Sequence, residues 1–500
     1  MTSLCRGCDS VRPMVSTRRL VGCFFAVLGL VGCGDDGRAT ASATAGQSEG
    51  TTTPGTATEP TSGTVSATQA TTEDPGTASN SASEATTTTA PTTTQDVTIT
   101  GTTGPSTSTS TGPDLTTSTG PDTTTTGDPC GGGSGRGGFD FSYLWVANTS
   151  QGSVSKVNTT TLIEEGRYYA DPNPAGASSS RTSVNIDGHF VVVSNRASYS
   201  VTKFAADKGD CVDQNGDGVI TTSANKDDLL PWGSDECMLW NTPVSPAPFG
   251  YNGGPRGTAW APGEFNPATC KYDNQKVWVG WLDAPTHAII GRFDGVTGVQ
   301  DATIPLDNWT SQISPYGAAA DGNGYVWFIN VYQELVRIDT ETLEVKRYPG
   351  EGIQFYGMTV DGKGNVWFGP YNNGNVAMFD AQTETFHQIP NSAENHRGLA
   401  VDGNGMAWVA ANAGGTHGCG LNQIDTNTMT AVQFHTFEQC STPVGVSIDV
   451  DGFVWMVDYG GWAYRIDPET NAKTQVLIAG DHYTYSDMTG GGLFNAVMPG

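Results

Sequence analysis

Four short apolar runs separated by polar turns fill residues 354–390, QFYGMTVDGKGNVWFGPYNNGNVAMFDAQTETFHQIP. Tyr356 to Val360 meets a tight turn at Asp361-Gly362-Lys363-Gly364, and Asn365 to Phe368 follows. After a Gly/Asn loop come Val376 to Phe379, a polar turn at Asp380 to Thr383, and a last run ending near Ile389. Runs of this length with turn residues at these intervals predict an antiparallel sheet. The unit recurs about every 40 residues, which favours a propeller over a sandwich.

The second run recurs as Leu144-Trp145-Val146, Val191-Val192-Val193, Val277-Trp278-Val279, Val326-Trp327-Phe328, Val366-Trp367-Phe368, Ala407-Trp408-Val409 and Val454-Trp455-Met456. A third-run signature, such as Arg337-Ile338-Asp339 or Arg465-Ile466-Asp467, follows each of them. The first unit lacks an innermost run, whereas Tyr485-Ser486-Asp487-Met488-Thr489-Gly490 looks like Tyr356-Gly357-Met358-Thr359 with no second run behind it. The C-terminal strand is therefore expected to complete the first blade and remove an open sheet edge. The expected fold is all-β: a seven-bladed β-propeller of four-stranded antiparallel blades over residues 139–500, preceded by a disordered stalk.

The N-terminus changes what surrounds that domain. Arg18 and Arg19 precede an apolar run from Leu20 to Leu30 and then Leu30-Val31-Gly32-Cys33. This is the layout of a secretory signal over residues 1–32, with Met14 as an alternative start. The run is too short to span a bilayer. Leu-Val-Gly-Cys resembles the bacterial lipobox, which implies cleavage before Cys33 and acylation of its thiol; an ordinary secretory signal is the alternative. The expectation is an exported lipoprotein, held in the outer membrane or at the cell surface. Residues 33–138 are rich in Thr, Ser, Gly and Pro and nearly free of large apolar side chains. Such a tract cannot offset the entropy of ordering and is expected to form a disordered linker, O-glycosylated or a bare spacer. With 24 basic against 51 acidic residues, nucleic-acid binding is not expected, since that rests on clustered Lys and Arg. A monomer is expected.

The pattern Tyr316-Gly317…Asp321-Gly322-Asn323-Gly324-Tyr325-Val326-Trp327-Phe328, repeated at Tyr356 to Phe368 and more loosely at Arg397 to Val409 and Val444 to Met456, resembles the virginiamycin B lyase (streptogramin lyase) family of seven-bladed propellers. That resemblance implies Mg²⁺-assisted eliminative opening of a cyclic depsipeptide by a Glu-x-His pair and a second Glu. Glu394-Asn395-His396 has the spacing of the pair, but Ala411 and Asn412 stand where the second Glu belongs. Losing that carboxylate removes a metal ligand and leaves the His less able to stabilise developing charge.

In a propeller the residues before each inner strand and after each second strand face one mouth. Arg181, Arg256, Tyr316, Tyr356 and Arg397 fall in the first set, and Trp281, Asp458 and Trp462 in the second. Arg forks suit carboxylate or phosphate and aromatic faces suit sugar or peptide. A top funnel that binds an anionic small molecule, glycan or peptide is the leading expectation. In the alternative, these Arg are held by Asp and carbonyls of neighbouring blades. The other functional expectations are a metal-assisted lyase or hydrolase and a protein-interaction scaffold.

An insertion at about 208–240 carries Asp213-Gln214-Asn215-Gly216-Asp217-Gly218-Val219-Ile220, the first half of an EF-type Ca²⁺ loop. Asp213, Asn215, Asp217 and the Val219 carbonyl are the expected ligands of a structural Ca²⁺. Position 12 is Ala224, so Asp227 or Asp228 would have to supply the missing carboxylate; the alternative is a plain turn. The remaining cysteines are even in number in a chain read as exported, where disulfides persist. Cys211–Cys237 and Cys419–Cys440 fall at matching blade ends, which leaves Cys130–Cys270.

Overall fold

The computed structural model describes residues 142–498 apart from Ala247 and Gln333. All of them belong to the second of two compact units, residues 116–500. The signal segment, Cys33, the stalk and Cys130 lie outside the described residues.

Seven antiparallel sheets follow one another along these described residues. The first holds Tyr143–Asn148, Ser153–Asn158 and Glu164–Tyr169, and each of the next six has four strands. The second comprises Ser179–Val184, Phe190–Asn195, Ser200–Ala205 and Met238–Pro243. The third comprises Thr258–Ala261, Lys276–Ala284, His287–Asp294 and Gln300–Asp307, with an extra hairpin, Glu264–Asn266 paired to Lys271–Asp273, between its first two strands. The inner strands of the remaining four are Gly317–Ala320, Gly357–Val360, His396–Val401 and Pro443–Ile448. The seven-bladed propeller read from the repeat is the observed fold.

Second strands form because β-branched and aromatic residues fit a pleated surface covered on both faces. Trp145, Trp278, Trp327, Trp367, Trp408 and Trp455 are all buried between blades. Each indole contributes roughly 5 kcal/mol of burial. In the last four blades the turn before this strand is built on an aspartate. Asp321 Oδ1 accepts the amides of Asn323 (2.8 Å) and Tyr325 (3.0 Å), while Oδ2 accepts the Trp327 indole N–H at 2.8 Å. Asp361–Trp367, Asp402–Trp408 and Asp449–Trp455 repeat the indole bond at 2.8 Å. The fourth turn residue needs positive φ, and Gly324, Gly364, Gly405 and Gly452 supply it.

The ring closes as expected, by an irregular segment instead of a regular strand. The Trp145 amide donates to the Met488 carbonyl at 2.9 Å and the Thr149 amide to that of Asp481 at 2.9 Å, which fills the inner place of the first blade. The same segment bridges the second blade in parallel at Arg181 and Tyr485. Beyond it lies an element the sequence did not announce, a helix at Gly491–Val497. It enters the bottom of the central channel, where Leu493 and Ala496 meet the small inner-strand residues Ala318, Ala320 and Ala400. Asp487 anchors it through the amides of Gly490 (2.9 Å) and Leu493 (2.8 Å).

Candidate functional site

The opposite end of the channel gathers the arginines and tyrosines. Arg181 projects from the second blade's inner strand with its guanidinium 4.2 Å from the Tyr485 ring, 4.8 Å from Tyr316 and 5.3 Å from Tyr483. Its Nη1 donates to Ser180 Oγ at 2.8 Å, and its Nε has no partner. Arg397 donates from Nε to Asn412 Oδ1 (3.1 Å) and from Nη1 to the hydroxyls of Tyr356 (3.0 Å) and Tyr485 (3.1 Å). Its guanidinium stands 5.3 Å from both the Tyr356 and Tyr371 rings. Burial alone would lower the Arg397 pKa, but the surrounding Tyr485, Tyr356 and Tyr483 outweigh it and hold the group above the ordinary arginine value. The phenols are linked to one another, Tyr316 to Tyr483 and Tyr356 to Tyr483 (2.8 Å).

Two further cations belong to this cluster. Arg256 lies among Tyr251 and Tyr316, and Arg196, absent from the sequence reading, lies over Tyr251 and Tyr483. Arg196 directly follows Asn195, the last residue of the second strand of its blade. Neither Arg181 nor Arg397 has a carboxylate partner among the described residues; their neighbours are tyrosines and amides. Cation–π contact offsets part of the cost of burying such a charge.

The open mouth expected from the sequence is closed. Arg181, Arg256 and Tyr316 are buried beneath the Tyr483–Tyr485 segment, and the space among Arg181, Tyr316, Tyr356 and Tyr485 is about 10 Å³, no more than one water needs. Arg397, Tyr356 and Tyr371 are the part-exposed members of the cluster.

The second set of residues does not join it. Trp281 is packed in the third blade's core against Phe293, and Trp462 sits on a third strand opposite Leu477. The Asp458 carboxylate is occupied by the amides of Ser441 (2.9 Å), Thr442 (2.7 Å) and Gly460 (2.8 Å). It pins two loops together and has no oxygen to spare.

Glu394 and His396 also take structural places. His396 is wholly buried, and its Nε2–H donates to the Ser392 carbonyl at 2.8 Å. Burial pushes its pKa below the ordinary histidine range, although its backbone carbonyl partner acts the other way. His482 repeats the arrangement on the Ile478 carbonyl at 2.8 Å, again four residues upstream. Glu394 turns away from His396 to accept the Thr416 amide (2.6 Å), the His417 amide and His417 Nδ1. A carboxylate saturated by one loop and an imidazole sealed in another direction do not fit a shared Mg²⁺. Among the described residues the converging group of Cys419, Cys440 and Asp458 is a disulfide beside an occupied carboxylate.

In the insertion, Asp213 accepts the amides of Gly216 (2.6 Å) and Gly218 (2.8 Å), Asn215 that of Asp217 (2.8 Å), and Asp217 that of Val219 (2.8 Å). Asp227 and Asp228 do not complete this set. The first pairs with Lys226 at 2.6 Å, and the second accepts the Ala224 amide at 3.0 Å. The residue that organises the loop is Glu236, buried, taking the amides of Gln214 (2.9 Å), Asn215 (3.2 Å) and Thr221 (2.7 Å). Sequence spacing from Asp213 gave no reason to look that far. Cys211–Cys237 and Cys419–Cys440 are both bonded. Cys270 is also in a disulfide, and the pairing expected for it, with Cys130, lies outside the described residues.

No protein-family model and no curated protein matches the sequence. Among solved structures, the chain is similar to a functionally unknown protein from Desulfotomaculum acetoxidans, at 10% identity over 68% of this chain and 96% of that one, with a TM-score of 0.49. A streptogramin B lyase is 16% identical over 63% of this chain and 87% of its own (TM-score 0.45). A catalytically inactive virginiamycin B lyase from Staphylococcus aureus, solved with quinupristin, is 15% identical over 61% and 85% (TM-score 0.41). The lyase propellers named from the repeat are thus among the structures it is similar to. At these values the likeness carries no argument about ligand or reaction.

Proposed function

We propose that the propeller is a binding module whose Arg–Tyr end takes the anionic group of a small molecule, glycan or peptide, with Arg397 making the first contact. The observation that supports this is Arg397 itself, a part-exposed residue whose guanidinium has phenols and an amide around it and no carboxylate partner among the described residues. Arg181 acts from beneath by its field. A fork of N–H donors against aromatic faces suits a carboxylate. The Asp213–Val219 loop, holding Ca²⁺ through Asp213, Asn215, Asp217 and the Val219 carbonyl, is proposed as a staple of the second blade with no part in binding.

Titration of the full chain with succinate, repeated after chelation, tests both ideas. Saturable binding is expected that Arg397→Gln weakens at least about ten-fold, or 1.4 kcal/mol, and Arg397→Lys weakens less. Chelation is expected to lower the melting temperature while leaving affinity unchanged. Equal affinity in wild type and Arg397→Gln, both folded by circular dichroism, would remove the binding reading; an unchanged melting temperature would remove the calcium.

We further propose that the module is displayed on a lipid anchor at Cys33, the Thr-rich tract acting as its stalk. The support is the Leu30-Val31-Gly32-Cys33 sequence behind a basic and apolar leader. Palmitate labelling in a bacterial host is expected to vanish in Cys33→Ala; labelling that persists rules the anchor out.

A further inference from the structure

Arg397 keeps one donor unused. Its Nε is taken by Asn412 and its Nη1 by two phenols, while Nη2 has no hydrogen-bond partner among the described residues. Beside it stands Tyr371, part-exposed, with its ring centroid 5.3 Å from the guanidinium. That ring stacks on Tyr356 at 5.2 Å, so its hydroxyl is what it offers a ligand. The hydroxyl has no partner among the described residues. A guanidinium N–H and a phenol O–H supply one donor to each oxygen of a carboxylate.

Carboxamides flank the pair. Asn372 donates from its backbone N–H to Asn395 Oδ1 (3.3 Å) and from Nδ2 to Gln354 Oε1 (3.3 Å), which joins the loops around Arg397 and Tyr371. These bonds leave Asn372 Oδ1, Asn395 Nδ2 and Gln354 Nε2 without partners among the described residues, and all three residues are exposed or part-exposed. Glu394, three residues before Arg397, is buried and held by the Thr416 and His417 amides and His417 Nδ1, so it does not compete for the guanidinium. A ligand hydroxyl both donates and accepts, and can answer an amide N–H and an amide carbonyl together. The apolar side chains of a peptide would meet amides here instead of apolar surface. We infer, on the binding role proposed for Arg397, that its ligand is an acidic sugar of the hexuronic acid class. The carboxylate lies on Arg397 Nη2 and the Tyr371 hydroxyl, and the ring hydroxyls meet Asn372, Asn395 and Gln354.

Ligand-observed NMR titrations of the full chain with glucuronate, glucose, succinate and acetyl-diglycine test this. Glucuronate is expected to bind at least about ten-fold more tightly than the other three. Tyr371→Phe keeps the ring on Tyr356 and is expected to weaken glucuronate and succinate alike, about ten-fold each. Asn372 has a φ of 62°, which glycine also adopts, so Asn372→Gly should fold normally. It is expected to bring glucuronate down towards succinate while leaving succinate unchanged. Arg397-dependent succinate binding with glucuronate no tighter would overturn the sugar and keep the binding role. The same follows from a glucuronate preference indifferent to Asn372→Gly, from affinities unchanged in Tyr371→Phe, or from acetyl-diglycine binding most tightly, which would mark a peptide site. Acid affinities unchanged in Arg397→Gln, or no binding of any acid at about 10 mM, would overturn both readings.

Discussion

Trp327 of the fourth blade and Trp278 of the third occupy the same place in neighbouring sheets. Each lies opposite an arginine on the next strand, Arg337 and Arg292, whose guanidinium is 5.7 Å from the indole ring. Their polar edges differ. Trp327 donates to a carboxylate that also binds two turn amides, so one residue fixes strand, turn and core together. In the third blade Tyr272 of the extra hairpin stands six residues before the indole, and the buried Trp278 N–H has no partner. The repeat teaches what a blade needs, and the third blade shows that it can fold without the aspartate bond.

The sharpest way to break this comparison is to truncate both indoles. Trp327→Phe should cost about 3 kcal/mol, because it loses packing and also strands a buried carboxylate. Trp278→Phe should cost about half as much, since no acceptor is orphaned. Urea midpoints on the two variants measure the gap, and equal losses would mean that the aspartate contributes nothing through the indole.

Acid titration gives a smaller effect that only the aspartate blades can show. Burial pushes the Asp449 pKa up to about 6, against the Trp455 N–H and two backbone amides that favour the anion. The folded state therefore keeps a proton that the unfolded chain has lost near pH 4. The stability this group contributes is full below that pH and is lost as the pH rises through about 6. Wild type should lead Asp449→Asn by more at pH 4 than at pH 7, with the lead shrinking by on the order of 2 kcal/mol. A lead that grows with pH would reverse the assignment of burial as the governing cause.

The blades were legible in sequence because their determinants are local: an apolar run, an Asp-Gly turn, a glycine at positive φ. The closing segment was legible because Tyr485 to Thr489 copies an inner strand. The helix at Gly491–Val497 was not, since two glycines open it and Asp487, outside it, supplies the cap; the channel holds it, and no helix propensity announces it. For Glu394 and His396, spacing along the chain was right and direction was not. A strand residue can face a funnel or a blade junction at the same spacing. The recurrence of His396's bond at His482 identifies the blade junction as its place. Arg397 and Tyr356 could be placed at one end of the channel because both stand just before or at the start of an inner strand. The buried state of Arg181 depended on how Tyr483 and Tyr485 fold over it, a long-range contact that no local pattern encodes.

The bond from Trp145 to Met488 joins residues from opposite ends of the described chain. Joining such distant segments carries a loop-closure cost before any contact rewards it, and topologies of this kind fold slowly. During synthesis, every other blade can finish its own sheet within a few dozen residues. The first blade instead waits with an unpaired inner edge until the last one has emerged. Ring closure is then a late, all-or-none event, and the interval before it is when this chain is most exposed to pairing with a neighbour.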